Sequence, residues 1–215
     1  MKGADAQRFR ALWRRCVATP PSPTADAVYE ELRRLLDGDD RRFHNLAHIA
    51  DCLRRFDDVA PLLADPDAVE TALWFHDAVY VPGDPGNERR SAALFLARSE
   101  GARPVFRRRV ARLILTTRRS AAPRTNDQKF IDDIDLAGFG ASWEEFTRYG
   151  DLLREEFSAQ SEPEYLAGQA RFLGMLQRRP RLFATAYYHE RLEARAQANL
   201  ARTLTILREK GYGER

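Results

Sequence analysis

Apolar residues recur at intervals of three and four along most of the chain, the spacing of helices that each bury one face. The first such stretch, Ala6 to Val17, sets Phe9, Leu12, Trp13 and Cys16 on one side. Thr19-Pro20-Pro21-Ser22-Pro23 interrupts it. Thr24 or Asp26 can then cap a second helix whose stripe of Val28, Leu32, Leu35 and Leu36 stops near Gly38. A third helix is predicted through Phe43-His44-Asn45-Leu46-Ala47-His48-Ile49 and on to Cys52, Leu53 and Phe56. Asp65-Pro66 opens a fourth, because proline fits the first turn, and this helix carries Leu73-Trp74-Phe75-His76-Asp77-Ala78-Val79-Tyr80. Val81 to Gly86 reads as a loop, after which Asn87 can cap a helix through Leu96. Val105 to Thr117 follows, then a polar loop from Arg118 to Asn126. A helix after Thr125 or Asn126 ends at Gly138 or Gly140, and Ser142 to Phe157 begins with a capping box, Ser142 to Glu145. Glu164 to Gln177 and Thr185 to Glu209 complete the set. Nothing alternates with period two, so the predicted class is all-α. A chain of 215 residues is read most simply as one domain, with residues 1–40 as helices packing on the remainder.

Within this pattern a few polar residues stand where apolar ones are expected. His76 and Asp77 are adjacent in an apolar run, and a buried carboxylate without a partner is costly. A divalent cation resolves the conflict, since imidazole and carboxylate together suit Zn, Mn, Fe or Co. The competing reading is a His–Asp hydrogen bond inside a buried helix. Further donors lie on either side: His44 and His48, spaced i and i+4 for one helix face, and the acids of Phe130-Ile131-Asp132-Asp133-Ile134-Asp135-Leu136. The chain holds four histidines, and three of them fall in these two short segments.

The order H…HD…D resembles the HD superfamily of metal-dependent phosphohydrolases. More narrowly, FHNLAHI, ALWFHDAVY, NERRSAAL, FIDDIDLAGFG and ARAQANLARTL are similar to segments of a bacterial family of small HD-domain proteins, from about Arg41 to Leu204. The resemblance implies an HD-type helical bundle in which His48, His76, Asp77 and Asp135 hold one divalent metal ion (Mn, Fe, Zn, Co, Ni or Mg). Asp133 is the rival to Asp135, and Asp132 reads as a solvated carboxylate. His44-Asn45-x-x-His48 also looks like a segment of cyclic-nucleotide phosphodiesterases, which implies that His44 is the general acid for the leaving oxygen. Packing at the helix start is its alternative. In NERRSAAL, Glu88 can orient a ligand histidine or a water, and Arg89 or Arg90 can grip a phosphate. A salt-bridged helix start explains the same residues equally well.

Some positions depart from the family pattern. Where relatives commonly carry a His-His pair, this chain has Arg119-Ser120, and an expected Tyr and Arg are replaced by Phe157 and Gln169. The departures argue for a single ion, with Arg119 supplying positive charge toward a phosphate. They also leave the substrate open.

Composition narrows the setting. Lys2, Lys129 and Lys210 are the only lysines among 35 basic residues, leaving 32 arginines against 32 acids, for a net charge of +3. The two signs are interleaved, as in Glu30 with Arg34 and the arginines around Glu193, which read as solvated faces. Nucleic-acid binding is therefore not indicated. The absence of a long apolar run, a start without a signal-peptide core, and only two cysteines, Cys16 and Cys52, point to a cytoplasmic protein with buried thiols. His189 reads as a surface or packing histidine. The resulting expectation is a phosphohydrolase for a small phosphorylated metabolite, monomeric or homodimeric. A metal- and nucleotide-binding protein without turnover, or a metal-stabilised interaction module, are the alternatives.

Overall fold

Ring packing around Trp74 and Phe75 determines how the N-terminal helices assemble. The computed structural model describes residues 5–17 and 19–213, so the reading of Met1–Ala4 lies outside the described residues. Ten α-helices are described: α1 (Ala6–Cys16), α2 (Ala25–Leu36), α3 (Leu46–Val59), α4 (Pro66–Phe75), α5 (Asn87–Arg98), α6 (Pro104–Thr116), α7 (Asn126–Leu136), α8 (Trp143–Glu156), α9 (Glu162–Gln177) and α10 (Ala186–Glu209). Single 3-10 turns occupy Ala60–Leu62 and Ala137–Gly140. No strand occurs among the described residues, and the all-α class is thereby established. Among them, too, no helix is long and apolar enough to cross a membrane. The chain divides into two compact units, Met1–Ile134 and Asp135–Arg215, the division falling within the last turn of α7.

In the first unit α4 is the central rod, packed against α1, α3, α5 and α6. Asp65 accepts the Ala68 N–H at its start, Pro66 fills the first turn, and every residue from Ala68 to Phe75 is buried. A helix buried on all sides must be apolar all round, and only Glu70 and Thr71 break the run. Both are satisfied: Arg8 Nε donates to Glu70 at 2.7 Å, and Thr71 Oγ1 donates to the Asp67 carbonyl at 2.7 Å. Phe9 meets Trp74 edge-on at 5.2 Å, Trp13 stacks on Phe75 at 6.0 Å, and Phe95 meets Phe75 edge-on at 5.3 Å. Burial of each such ring stabilises by roughly 1.5–3 kcal/mol. Trp74 Nε1 is buried without a hydrogen-bond partner, a cost that the ring packing outweighs. The Asp127 carboxylate, on the first turn of α7, accepts from the N–H groups of Ala64 and Asp65 at 2.8 and 3.1 Å and so ties α7 to the start of α4.

In the second unit α10 packs on the Ala137–Gly140 turn and on α9. Asn199 donates to the carbonyls of Phe139 and Ala141, and a Cβ at Gly140 would lie 2.6 Å from Leu192, so only glycine permits this approach. Ser142 accepts the Glu145 N–H as expected, but Glu145 is engaged by the Tyr149 hydroxyl at 2.6 Å. The full reciprocal capping box instead forms at Ser161 and Glu164 of α9.

Candidate metal centre

Two local departures from the expected helices shape the site. Asn45, not a residue before Phe43, caps α3: its Oδ1 accepts from Ala47 and His48 at 2.9 and 3.3 Å. Its Nδ2 donates back to the carbonyls of Arg41 and Arg42. His44 therefore precedes the helix and does not share a face with His48, although their rings lie 5.9 Å apart. Likewise α4 ends at Phe75, and His76 is its C-cap rather than an interior residue. The segment from Asp77 to Val81 is drawn off the helix by distant partners. Arg41 donates to the carbonyls of Asp77 and Ala78 at 2.8 and 3.1 Å, Val79 N–H donates to Ser91 Oγ, and Val81 exchanges two hydrogen bonds with Asn87. These bonds satisfy backbone groups that another helical turn would otherwise have taken up.

Because the dyad sits on a turn, its two side chains converge. His76 is fixed by its own backbone: Nδ1 lies 2.9 Å from the Leu73 carbonyl, which can only accept, so Nδ1 carries a hydrogen and Nε2 is the ring nitrogen turned toward the site. His76 Nε2 is 3.3 Å from His48 Nε2 and 3.0 Å from Asp77 Oδ2, and Asp77 Oδ2 is 3.5 Å from His48 Nε2. Cys52 Sγ lies 3.6 Å from His48 Nε2. His48, Cys52, His76 and Asp135 each offer one ligand atom, all within 4.8 Å of one another. Asp135 lies one residue past the division between units but on the same unbroken helix, α7, whose first turn anchors the start of α4.

The donor set fits a metal ion. Two nitrogens bound at ~2.0–2.1 Å to one ion lie about 3.3 Å apart across a tetrahedral angle, which is the spacing of the two imidazoles. His76 is 1% and Asp77 9% exposed, so a cation there would compensate a largely buried carboxylate. The structure groups His48, Cys52, His76 and Asp135, and sets Asp77 beside the two histidines; Cys52 is the member that sequence reasoning treated only as a buried thiol. Its signal was the His48-x-x-x-Cys52 spacing, one turn apart on α3.

The other candidates are placed differently. His44 stacks on Tyr80 with ring centroids 4.1 Å apart, and its carbonyl accepts from Arg41 at 2.9 Å. Asp132 is not a solvated carboxylate: it is 2% exposed and lies 3.0 Å from Arg119 Nε. α7 buries Asp132 and Asp133 together with Ile131 and Ile134, whereas Asp135 stays partly exposed. Arg119 also donates to the Thr117 carbonyl and adopts φ +57°, the left-handed region. Glu88 is half-buried on the first turn of α5, outside the group of mutually close donors, and Arg89 is exposed. Arg90 pairs with Asp84 and donates to Asn87, so this segment also braces the loop after Asp77. His189 lies 3.3 Å from Glu193 on the surface of α10.

Among protein-family models, curated proteins and solved structures, none matches this chain.

Proposed function

We propose that this chain is a metal-dependent hydrolase of phosphate esters, acting on a nucleotide or another small phosphorylated metabolite. The observation that carries the reading is the convergence of His48 Nε2, His76 Nε2 and Asp77 Oδ2 at 3.0–3.5 Å, with a ligand atom of Asp135 within 4.8 Å of those of both histidines. His48, His76, Asp77 and Asp135 would hold the ion. A divalent ion there supplies Lewis acidity toward a phosphoryl oxygen and makes a water-derived nucleophile accessible near neutral pH.

The chain's own residues supply the rest. His44 lies one ring beyond His48 and is held by stacking on Tyr80, so its imidazole can give a proton to the departing oxygen. Arg41 acts through position: one guanidinium binds the carbonyls of His44, Asp77 and Ala78 and keys the general acid to the dyad. Arg119 is engaged by Asp132, and it carries no weight here as a phosphate ligand.

The test is turnover of a panel of nucleotide and sugar phosphates by metal-loaded protein. His44→Ala is expected to lower kcat by 10²–10⁴-fold (a rough range for loss of a general acid) while one metal per chain is retained. Tight nucleotide binding with no turnover in the unaltered protein would instead favour a binding protein.

A further inference from the structure

Cys52 stands one helical turn after His48 on α3, is 2% exposed, and places Sγ 3.6 Å from His48 Nε2. A sulfur bound at ~2.3 Å and a nitrogen bound at ~2.0–2.1 Å to one tetrahedral ion lie about 3.6 Å apart. The spacing between the two imidazole nitrogens meets the same requirement at 3.3 Å. Two independent distances therefore suit donors about 110° apart on one ion, and the donor atoms of Cys52, His48, His76 and Asp135 all lie within 4.8 Å of each other. Cys16 offers a contrast: its thiol faces Asp67 at 3.5 Å, away from the cluster, and burial together with that carboxylate pushes its pKa up to about 12.

We propose that Cys52 ligates the ion as a thiolate, and that the centre consequently selects a thiophilic ion such as Zn²⁺ or Co²⁺ over Mg²⁺. The inference rests on the metal-binding reading above and extends it to an additional ligand and to metal choice. Ligation breaks the S–H bond, forms a sulfur–metal bond and releases the proton to solvent. Magnesium, which takes oxygen ligands, gains nothing from such a group, whereas thiolate is among the preferred ligands of zinc. His48, His76 and the carboxylates remain common to both kinds of ion.

The experiment is titration of metal-stripped protein with Co²⁺, followed by absorption spectroscopy. The expected result is one Co²⁺ per chain with a near-ultraviolet thiolate-to-cobalt charge-transfer band. That band persists in Cys16→Ser, disappears in Cys52→Ser, and survives a large excess of Mg²⁺. Cys52→Ser is also expected to weaken Zn²⁺ binding by more than about 100-fold, beyond the 10–100-fold that losing an outer partner costs. One bound Co²⁺ without the band in the unaltered protein overturns the proposal and leaves the metal site standing. Loss of the band in Cys16→Ser overturns it as well. Failure to bind Co²⁺ at all overturns both the proposal and the reading beneath it. The unaltered protein and Cys16→Ser decide the matter even where Cys52→Ser does not fold.

Discussion

Arg119 shows how a single residue can hold more structure than its surface chemistry suggests. Its side chain is 12% exposed and Asp132 is 2% exposed, so the pair is largely removed from water. Its backbone sits at φ +57°, which costs a non-glycine residue roughly 1–2 kcal/mol. The turn brings the guanidinium onto a buried carboxylate of α7, which offsets the strain. Removing one partner of such a pair strands the other charge. Arg119→Ala is expected to lower stability by about 3 kcal/mol in urea denaturation of the metal-free protein. In an Asp132→Asn background the same change should cost clearly less, because the stranded charge is gone. A loss under about 0.5 kcal/mol, typical of a surface change, would show the pair to be incidental.

At the scale of elements, the arginine excess has a structural use. Arg8 of α1 binds Asp57 of α3 and Glu70 of α4, Arg15 of α1 binds Asp67 of α4, Arg98 of α5 binds Glu31 of α2, and Arg109 of α6 binds Asp65. These charges bridge helices, where the pattern along the chain suggested solvated pairs within one helix. Even the local pair differs, since Glu30 meets Arg33 and not Arg34. Glu193, which stands between Arg191 and Arg195 in the sequence, is held by other groups. Burial pushes its carboxyl pKa up, but bonds from Gln197, from the N–H groups of Leu182 and Phe183, and from His189 outweigh this and hold it below the ordinary value. A carboxyl lowered in the folded state contributes stability that is full above its unfolded value and lost as pH falls through its folded one. Between about pH 5 and pH 3 the native protein should therefore lose stability more steeply than Glu193→Gln. Urea midpoints across that range check it, and parallel curves for the two proteins would contradict it.

For the molecule as a whole, the expected consequence of the centre is linkage between metal and folding. His76 and Asp77 at the end of α4, and His48 on α3, are assembled only when those helices pack, so an ion bound there favours the folded state. At metal concentrations about 100-fold above Kd the gain is about 2.7 kcal/mol. For a chain of this size that raises Tm by roughly 5–10 °C. Differential scanning calorimetry with and without Zn²⁺ or Mn²⁺ measures it, and His76→Ala should show no shift. Equal Tm values for stripped and loaded protein would leave the central reading without support.

Much of this was legible along the chain. Apolar periodicity delimits α1, α2, α6 and α10 closely, because each buries one stripe and its spacing is local information. Thr24, Asp65-Pro66 and Ser142 mark helix starts for the same reason: a cap acts within three residues. His48, His76 and Asp135, three of the four ligands that the family resemblance implies, stand among the mutually close donors, and Asp77 lies beside the two histidines. What the sequence left undetermined depends on partners farther along the chain. α4 stops at Phe75 because Arg41, Ser91 and Asn87 capture the backbone beyond it, from positions 6 to 37 residues away from the groups they bind. His44 falls outside α3 because Asn45 turns its side chain onto the helix end. Asp132 and Arg119 are each polar by type, and only the packing of α7 makes them a buried pair. Cys52 lies near His48 through the turn of α3 alone; what the approach of α4 adds is His76, which makes the pair part of a larger donor group. Local spacing settles where helices run, whereas the coordination of a centre depends on distances between helices, which packing alone fixes.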